Sequence, residues 1–387
     1  MIQLSRFITA FIALTSVCLL VRFLNLKLGS RVEPSAKKAI VITGATSGIG
    51  LSVAKRFYKK GFSVFATYYN DKEVGYSELK QLGDQSQTGD PNDKPKLFLV
   101  QMDVRSKEAI DEAGGQIEKL LDENALELFC LVCNAGISAD CSFELTTVDG
   151  AVNTIDTNYT GTVLVSKRFL ARIIRDKGRV LLTSSGTYKL VVPLAPVYAS
   201  TKASVASLAA SMNKCLESYG ASCRCVCPGD LIGKSNVILP CAAFFESAIG
   251  KLTPDERATY KRTIDEGSKI LAMYLRKVHQ RPDMSKVDST ETSNPRKSAN
   301  YKPSFSSRCK TLLINMFLGG YVHTNCTLDE TSALEAYDDA ICVKNAPARL
   351  YPGNRIFQHI TGPLHFEYYS QVGLEFMHLL ALNLMKR

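Results

Sequence analysis

The sequence predicts an α/β protein in which a parallel β-sheet carries helices on both faces. Short apolar runs, each long enough for one buried strand, recur along the first half of the chain, and a glycine-rich turn follows the first run. Segments with helical periodicity, such as 111–121 and 163–174, separate most of these runs. Strands that alternate with helices in this way favour a parallel sheet. The predicted strands are 39–43, 63–67, 97–101, 128–133, 180–183 and 222–227.

The pattern changes after residue 228. Residues 242–273 are largely helical in periodicity, and the sequence TPDE at 253–256 is typical of a helix start. Another helix is expected near 328–343. Residues 283–307 are rich in Ser, Asn, Lys and Pro and predict a flexible loop, whereas 372–384 form an apolar tail.

The composition indicates an ordinary globular chain. Of its 387 residues, 45% are hydrophobic and 22% are charged, which is enough for one large domain or two modest ones. The net charge of +10 is spread along the chain, with no arginine-rich block, and this argues against nucleic-acid binding. A chain of this length has no need of a disulfide framework, so the twelve cysteines predict reduced, mostly buried thiols. We predict no metal site.

The N-terminal segment predicts a membrane anchor over residues 1–30. An apolar run at 7–26, interrupted by Arg22, is about long enough to cross a bilayer. More positive charge lies at its downstream end, which would place the rest of the chain in the cytosol, at the endoplasmic reticulum membrane. A cleaved signal peptide and a mitochondrial presequence are the alternatives.

The glycine-rich turn predicts a dinucleotide-binding loop. The sequence from Thr43 to Gly50 is TGATSGIG, and it lies between a strand and a helix. Glycines there let the backbone approach a pyrophosphate, while the helix N-terminus supplies amide donors. The residues expected to contact the cofactor are Gly44, Ser47, Gly48, Ile49 and Gly50.

Four further residues predict acid–base chemistry. Tyr198 and Lys202 are four residues apart on one face of a helix, and a nearby ammonium lowers the pKa of a phenol from its usual value of about 10. Ser185 follows a strand and could bond a substrate oxygen, although a serine there can also serve only the backbone. Asn158 could hold a water beside Lys202, or could bond its own helix backbone.

These motifs, in this order and spacing, resemble the short-chain dehydrogenase/reductase family over residues 38–233. The resemblance implies a Rossmann-type doubly wound sheet, a nicotinamide cofactor, and a catalytic set of Asn158, Ser185, Tyr198 and Lys202. In that family the tyrosine is the acid–base group, the lysine also holds the nicotinamide ribose, and the serine positions the substrate.

The resemblance also implies further cofactor contacts. Asp103 and Val104 match the segment that contacts adenine, and Pro228-Gly229 match the loop beside the nicotinamide. Asn134, Ala135 and Gly136 would hold the sheet edge near the cofactor. After Gly229 the sequence is DLIG, without the threonine that usually grips the carboxamide, and Ser235 is the candidate substitute.

Within the family, the chain is similar to a membrane-associated branch of retinol, hydroxysteroid and 3-hydroxybutyrate dehydrogenases. Residues 61–67, 282–285 and 348–353 carry this similarity. The domain prediction is an anchor at 1–30, a dinucleotide-binding and catalytic domain at 37–235, and a C-terminal substrate-binding and lid extension at 236–387. Relative to the branch, residues 287–328 look like a polar insertion.

The cofactor and substrate are predicted less directly. The end of the second strand, at 67–70, holds neither the acid typical of NAD(H) enzymes nor the arginine typical of NADP(H) enzymes. The branch similarity favours NAD(H), with NADP(H) as the alternative.

Apolar segments at 193–197 and 238–249 favour a lipophilic secondary alcohol or ketone, a steroid or sterol before a retinoid. The sequence also leaves open a 3-hydroxybutyrate dehydrogenase and a catalytically silent dinucleotide-binding protein. The apolar tail could pack on the domain, on a second identical subunit or on a bilayer.

Overall fold

The computed structural model describes residues 31–85, 94–139, 141–188, 195–228, 239–279, 330–343 and 349–350. Its strands form one sheet in which every neighbouring pair is parallel, in the order β3-β2-β1-β4-β5-β6-β7. The strands are Lys38–Ile42 (β1), Ser63–Tyr68 (β2), Leu97–Gln101 (β3), Glu127–Cys133 (β4), Arg179–Thr183 (β5), Ser222–Val226 (β6) and Arg349–Leu350 (β7). The six predicted strands are confirmed to within one residue at either end. The two-residue β7 was not predicted.

Helices connect the strands and cover both faces of the sheet. They are Gly48–Lys59 (α1), Val74–Gln85 (α2), Lys107–Glu123 (α3), Val148–Ile155 (α4), Gly161–Arg175 (α5), Pro196–Glu217 (α6), Leu239–Lys251 (α7), Pro254–Thr259 (α8), Lys261–His279 (α9) and Glu330–Cys342 (α10). A π-helical turn, Asp156–Thr160, joins α4 to α5. The stretch 242–273, predicted to be largely helical, contains three helices. The helix start predicted at 253–256 is confirmed, because Thr253 and Glu256 form a capping box at the N-terminus of α8.

Alternate residues of the central strands supply two separate cores. In β1, Ala39 and Val41 join the core that α3, α5 and α6 cover, whereas Ile40 and Ile42 join the core under α1, α2 and α10. Side chains of a strand point to opposite faces in turn, so a strand covered on both faces favours apolar residues at successive positions. This explains why β1 is an uninterrupted apolar run, and it makes the fold a doubly wound sheet.

Helix α10, the last helix among the described residues, packs on the α1 face of the sheet and is held by charged groups. Asp338 forms ion pairs with Arg56 of α1 and with Lys60, which directly follows this helix, and Asp339 pairs with Arg31. Arg179 of β5 is buried, and its guanidinium donates to the backbone carbonyls of Ala340 (3.1 Å), Ile341 (2.6 Å) and Val343 (3.2 Å). A buried cation therefore satisfies the carbonyls that the end of α10 leaves without helix partners.

Several predicted features lie outside the described residues. They are the membrane anchor at 1–30, the polar insertion at 287–328 and the apolar tail at 372–384. Among the residues that the structure does describe, no helix combines the length and apolar character that crossing a bilayer requires. The described cysteines are free and, apart from Cys215, buried. Burial raises the pKa of the Cys130 and Cys133 thiols to about 12, which keeps them unreactive near neutral pH.

Removing the Arg179 guanidinium should destabilise the docking of α10. We expect Arg179→Met to lower the free energy of unfolding by about 2–3 kcal/mol, because three buried carbonyls lose a charged donor. Urea titration followed by circular dichroism measures this change. Arg175→Met is the control: Arg175 is largely exposed, so its ion pairs should contribute less than about 1 kcal/mol. Equal losses in the two variants would contradict the role given to Arg179.

Candidate active site

The glycine loop lies at the carboxyl end of β1 and needs glycine at two positions. Gly44 has φ +61° and Gly48 has φ +50°, which is the left-handed region that side chains rarely adopt. Helix α1 begins at Gly48, and the side chain of the preceding Ser47 makes no capping hydrogen bond. No acidic side chain lies in the first turn either. The N-terminus of α1 therefore suits an anion such as a pyrophosphate.

The third glycine, Gly50, is required by close contact. A Cβ at Gly50 would lie 2.2 Å from the carbonyl oxygen of Gly44 and 2.6 Å from Nδ2 of Asn134. Ile49, between Gly48 and Gly50, is partly buried and packs against the core under α1. The start of α1 and the loop are thus pressed together with no room for a side chain.

Asn134 and Ala135, which directly follow the neighbouring strand β4, hold this loop. Asn134 donates through Nδ2 to the carbonyl oxygens of Thr43 (3.2 Å) and Gly44 (3.3 Å). The hydroxyl of Thr43 accepts hydrogen bonds from the backbone amides of Asn134 (2.9 Å) and Ala135 (3.0 Å). Thr43 is the first residue of the glycine motif, but it was not among the predicted cofactor residues. Its position between the strand and the first glycine is the sequence feature that could have identified it.

Helix α6 carries Tyr198 and Lys202 toward the end of β5. Lys202 is only 4% exposed, and its Nζ donates to the carbonyl oxygen of Thr183 at 3.0 Å. Its own carbonyl accepts a hydrogen bond from Ser184 Oγ at 2.6 Å. The ammonium lies 5.5 Å from the ring centroid of the half-buried Tyr198. Burial lowers the pKa of Lys202 to about 8.

Asn158 lies in the π-helical turn, a feature often found at functional sites. Its Oδ1 accepts from the amide of Ile137 (2.8 Å), and its Nδ2 donates to the carbonyl of Ile137 (2.8 Å) and to Thr201 Oγ1 (3.1 Å). The alternative in which Asn158 bonds its own helix backbone is therefore wrong. A Cβ at Gly136 would lie 3.2 Å from both Asn158 Oδ1 and Lys202 Nζ, so the structure brings these residues together around Gly136.

Ser185 follows β5 and is 9% exposed. Its Oγ accepts a hydrogen bond from the amide of Thr187 at 3.2 Å. This is the backbone role that the sequence left open beside the binding of a substrate oxygen. A hydroxyl that accepts one bond can still donate its own hydrogen. The next residue, Gly186, donates to the carbonyl of Pro228 at 2.6 Å, so the start of the predicted nicotinamide loop lies beside Ser185. Gly229 lies outside the described residues.

Asp103 and Val104 follow β3 at the same edge of the sheet. The Asp103 carboxylate accepts hydrogen bonds from the Arg105 guanidinium, and these bonds lower the pKa of Asp103. Arg105 also lies 5.2 Å from the centroid of the Tyr69 ring, just past the end of β2. Val104 is buried, and its carbonyl leaves no room for a Cβ at Gly161.

A carboxylate reaches the glycine loop from an unpredicted position. Thr46 Oγ1, inside the loop, donates to Oε2 of Glu73 at 2.6 Å. Gly75 packs against the same residue, since a Cβ there would lie 2.0 Å from the carbonyl oxygen of Thr46. The sequence motif places such an acid at 67–70, at the end of β2, whereas Glu73 stands further along the chain. Only the conformation of the turn between β2 and α2 shows that Glu73 lies beside the glycine loop.

The arrangement fits a nicotinamide dinucleotide: glycines cradle a phosphate position at one side, and a buried lysine and a tyrosine face the other. The sequence profile described as short chain dehydrogenase matches residues 38–235, and the chain belongs to this family. The resemblance predicted from the motifs is confirmed.

Individual relatives come from the branch that the sequence indicated. The chain is 32% identical over 206 residues to D-beta-hydroxybutyrate dehydrogenase, mitochondrial, of Bos taurus, covering 53% of this chain and 58% of that protein. It is 29% identical over 239 residues to mouse estradiol 17-beta-dehydrogenase 2, covering 61% of this chain and 58% of the relative. Among solved structures, an alcohol dehydrogenase from Thermococcus sibiricus, complexed with 5-hydroxy-NADP, is 23% identical and covers 50% of this chain and 77% of its own, with a TM-score of 0.43.

A side chain at Gly50 should weaken dinucleotide binding. We expect Gly50→Ala to weaken NADH binding at least about tenfold, because the added methyl collides with backbone and forces the loop to move. The change in NADH fluorescence on binding measures the affinity. Gly115→Ala in α3 is the control, since nothing lies within 4 Å of a Cβ there. This control should bind as the wild type does; undiminished binding by Gly50→Ala would contradict the assignment of the cradle.

Proposed function

We propose that this protein is an NAD(H)-dependent oxidoreductase that interconverts a lipophilic secondary alcohol and its ketone, with a steroid or sterol as the substrate. The observation that carries the proposal is the buried ammonium of Lys202, held by Thr183 beside Asn158 and 5.5 Å from the Tyr198 ring. Family membership supports the reaction type.

In the proposed mechanism, Tyr198 moves the proton. The Lys202 ammonium favours the phenolate, so Tyr198 can remove the hydroxyl proton of an alcohol or return it to a ketone oxygen. The Ser185 hydroxyl donates to the same substrate oxygen and stabilises the negative charge that develops there. A bound nicotinamide supplies the hydride or accepts it. Asn158 fixes the segment at Ile137 and thereby the backbone that faces Lys202.

The pH range of this mechanism depends on Lys202. Its pKa of about 8 means that the ammonium is present at neutral pH and is lost as the pH rises through that value. The positive charge beside Tyr198 is therefore available where a cytosolic enzyme works, and the stabilisation of the phenolate weakens in alkaline solution.

The steroid proposal is supported by apolar segments and by the relatives. Estradiol 17-beta-dehydrogenase 2 of mouse and rat are among the similar proteins. In the apolar segment 238–249, Phe245 and Ala248 pack on Cys141 and Leu145, so that part of the segment anchors α7 and does not line an open pocket. Phe244 is 42% exposed and is available to an apolar ligand. The relatives named for hydroxybutyrate favour a second candidate, a 3-hydroxybutyrate dehydrogenase.

The cofactor proposal of NAD(H) is supported by Glu73. In this fold the adenosine ribose lies at the end of β2, and an acid there binds its hydroxyls and repels the 2′-phosphate of NADP(H). In this protein Glu73 supplies a carboxylate beside Thr46 of the glycine loop. Arg105 could attract a phosphate instead, but its guanidinium is already paired with both carboxylate oxygens of Asp103.

Membrane attachment through residues 1–30 is also part of the proposal, at the endoplasmic reticulum with the catalytic domain in the cytosol. The apolar run at 7–26 and its flanking charges support it. The mitochondrion is the alternative, and the bovine relative is named as a mitochondrial protein.

Turnover of a substrate panel tests the reaction and its substrate class. We expect the purified protein to oxidise estradiol with NAD⁺ faster than retinol or D-3-hydroxybutyrate. Tyr198→Phe should lower kcat at least about 100-fold, because the variant lacks the group that transfers the proton. Tyr219→Phe, at an exposed tyrosine past the end of α6, is the matched control and should keep full activity.

Three outcomes of these measurements would count against the proposal. Turnover of 3-hydroxybutyrate alone would replace the steroid assignment with the second candidate. Full activity in Tyr198→Phe would remove the catalytic role of the tyrosine, and binding of NADH without turnover of any alcohol would favour a silent dinucleotide-binding protein.

The role of Glu73 predicts a change in cofactor preference. Glu73→Gln should shift the ratio of kcat/KM for NAD⁺ over NADP⁺ toward NADP⁺ about fivefold to tenfold, since roughly 1 kcal/mol of charge repulsion is removed. Steady-state kinetics with both cofactors measures the ratio. Glu78→Gln is the control, because Glu78 lies on α2 and pairs with Lys55. A wild-type preference for NADPH, or an unchanged ratio in Glu73→Gln, would contradict the assignment.

A further inference from the structure

Tyr337 of α10 places a phenol behind the end of β5. The side chain is fully buried, and its hydroxyl shares a hydrogen bond of 2.7 Å with Thr183 Oγ1. A buried hydroxyl costs free energy unless it is bonded, and a phenylalanine would fill the same space without that cost. The polar atom at this position therefore points to a role beyond packing.

Thr183 is the residue whose carbonyl holds the Lys202 ammonium. That carbonyl accepts the bond from Nζ at 3.0 Å, while the side chain of the same residue bonds Tyr337. The next residue, Ser184, bonds the backbone carbonyl of Lys202 at 2.6 Å. Two successive residues at the end of β5 thus hold the lysine, and α10 holds the first of them from the opposite face of the sheet.

The docking of α10 does not depend on the Tyr337 hydroxyl. Asp338 pairs with Arg56 and Lys60, and Arg179 binds the carbonyls at the end of the helix. These contacts keep α10 in place when the hydroxyl is removed, so the bond to Thr183 can be changed alone.

We propose that Tyr337 is a positioning residue for Lys202, acting through Thr183 to keep the ammonium beside Tyr198. The inference rests on the proposed function, in which Lys202 supplies the positive charge. It gives α10 a part in positioning the acid–base residues, although this helix lies more than a hundred residues from Tyr198 in sequence. Without the bond, Thr183 gains freedom and water reaches the lysine.

Tyr337→Phe tests the inference, with Thr183→Val removing the other partner. Because a better-hydrated lysine has a pKa nearer to its usual value of about 10.4, the pH at which NADH affinity begins to fall should rise by at least half a unit. The kcat for estradiol oxidation should fall about fivefold or more, with little change in KM. The double variant should resemble either single variant, since both remove one bond.

Tyr58→Phe is the matched control. Tyr58 is buried in the same core as Tyr337, but on α1 and away from β5. It should leave the pH dependence and kcat unchanged, and it measures what removing the hydroxyl of a buried tyrosine in this core does to thermal stability alone.

The outcomes separate this inference from the proposed function. A wild-type protein that binds no NADH refutes the proposed function itself. If the wild type binds NADH and turns over estradiol while Tyr337→Phe keeps the wild-type pH dependence and kcat, only the inference is overturned. A lowered Tm in Tyr337→Phe with an unchanged pH dependence is also contrary to it, because a purely structural bond has that effect.

Discussion

The hydrogen bond from Lys202 Nζ to the Thr183 carbonyl is the interaction on which the rest of the site depends. Lys202 is 4% exposed, and a buried ammonium loses the water that would otherwise solvate it. The carbonyl at the end of β5 replaces part of that solvation, and it is available because the strand ends there. A parallel sheet exposes such strand ends at one edge, and the glycine loop after β1 lies at the same edge.

The depressed pKa of Lys202 follows from the same arrangement. Burial makes the charged form costly, whereas Thr183 and the neighbouring Ser184 limit how far the group can move. The folded protein therefore holds a lysine that releases its proton more easily than the unfolded chain does. In the absence of ligand, this burial destabilises the fold below about pH 8, where the lysine must be charged, and the penalty is relieved as the pH rises toward the unfolded value. A site that keeps a costly group in place is typical of function.

Local features of the sequence were sufficient for the sheet and for the main motifs. The apolar runs predicted six strands because a strand covered on both faces is mostly apolar, and glycine spacing predicted the cradle. Contacts between distant segments were beyond the sequence. Glu73 returns to Thr46 through a turn, Asn158 bonds Ile137 in place of its own helix, and Tyr337 reaches Thr183 across 154 residues. The periodicity of a sequence does not reveal such pairs, because each pair depends on how whole helices and strands pack together. The helix start at 253–256 was predicted from its residue types, and the capping box there confirms it, whereas the break between α8 and α9 was not predicted.

Transfer of a labelled hydride tests the central claim most directly. The protein would be incubated with estrone and NADH that carries deuterium at the transferable position of the nicotinamide, and the product would be analysed by mass spectrometry. The account predicts one deuterium on the carbon that bears the new hydroxyl group, and none when Lys202 is replaced by methionine. Estradiol formed without deuterium, or equal transfer by Lys202→Met, would contradict it.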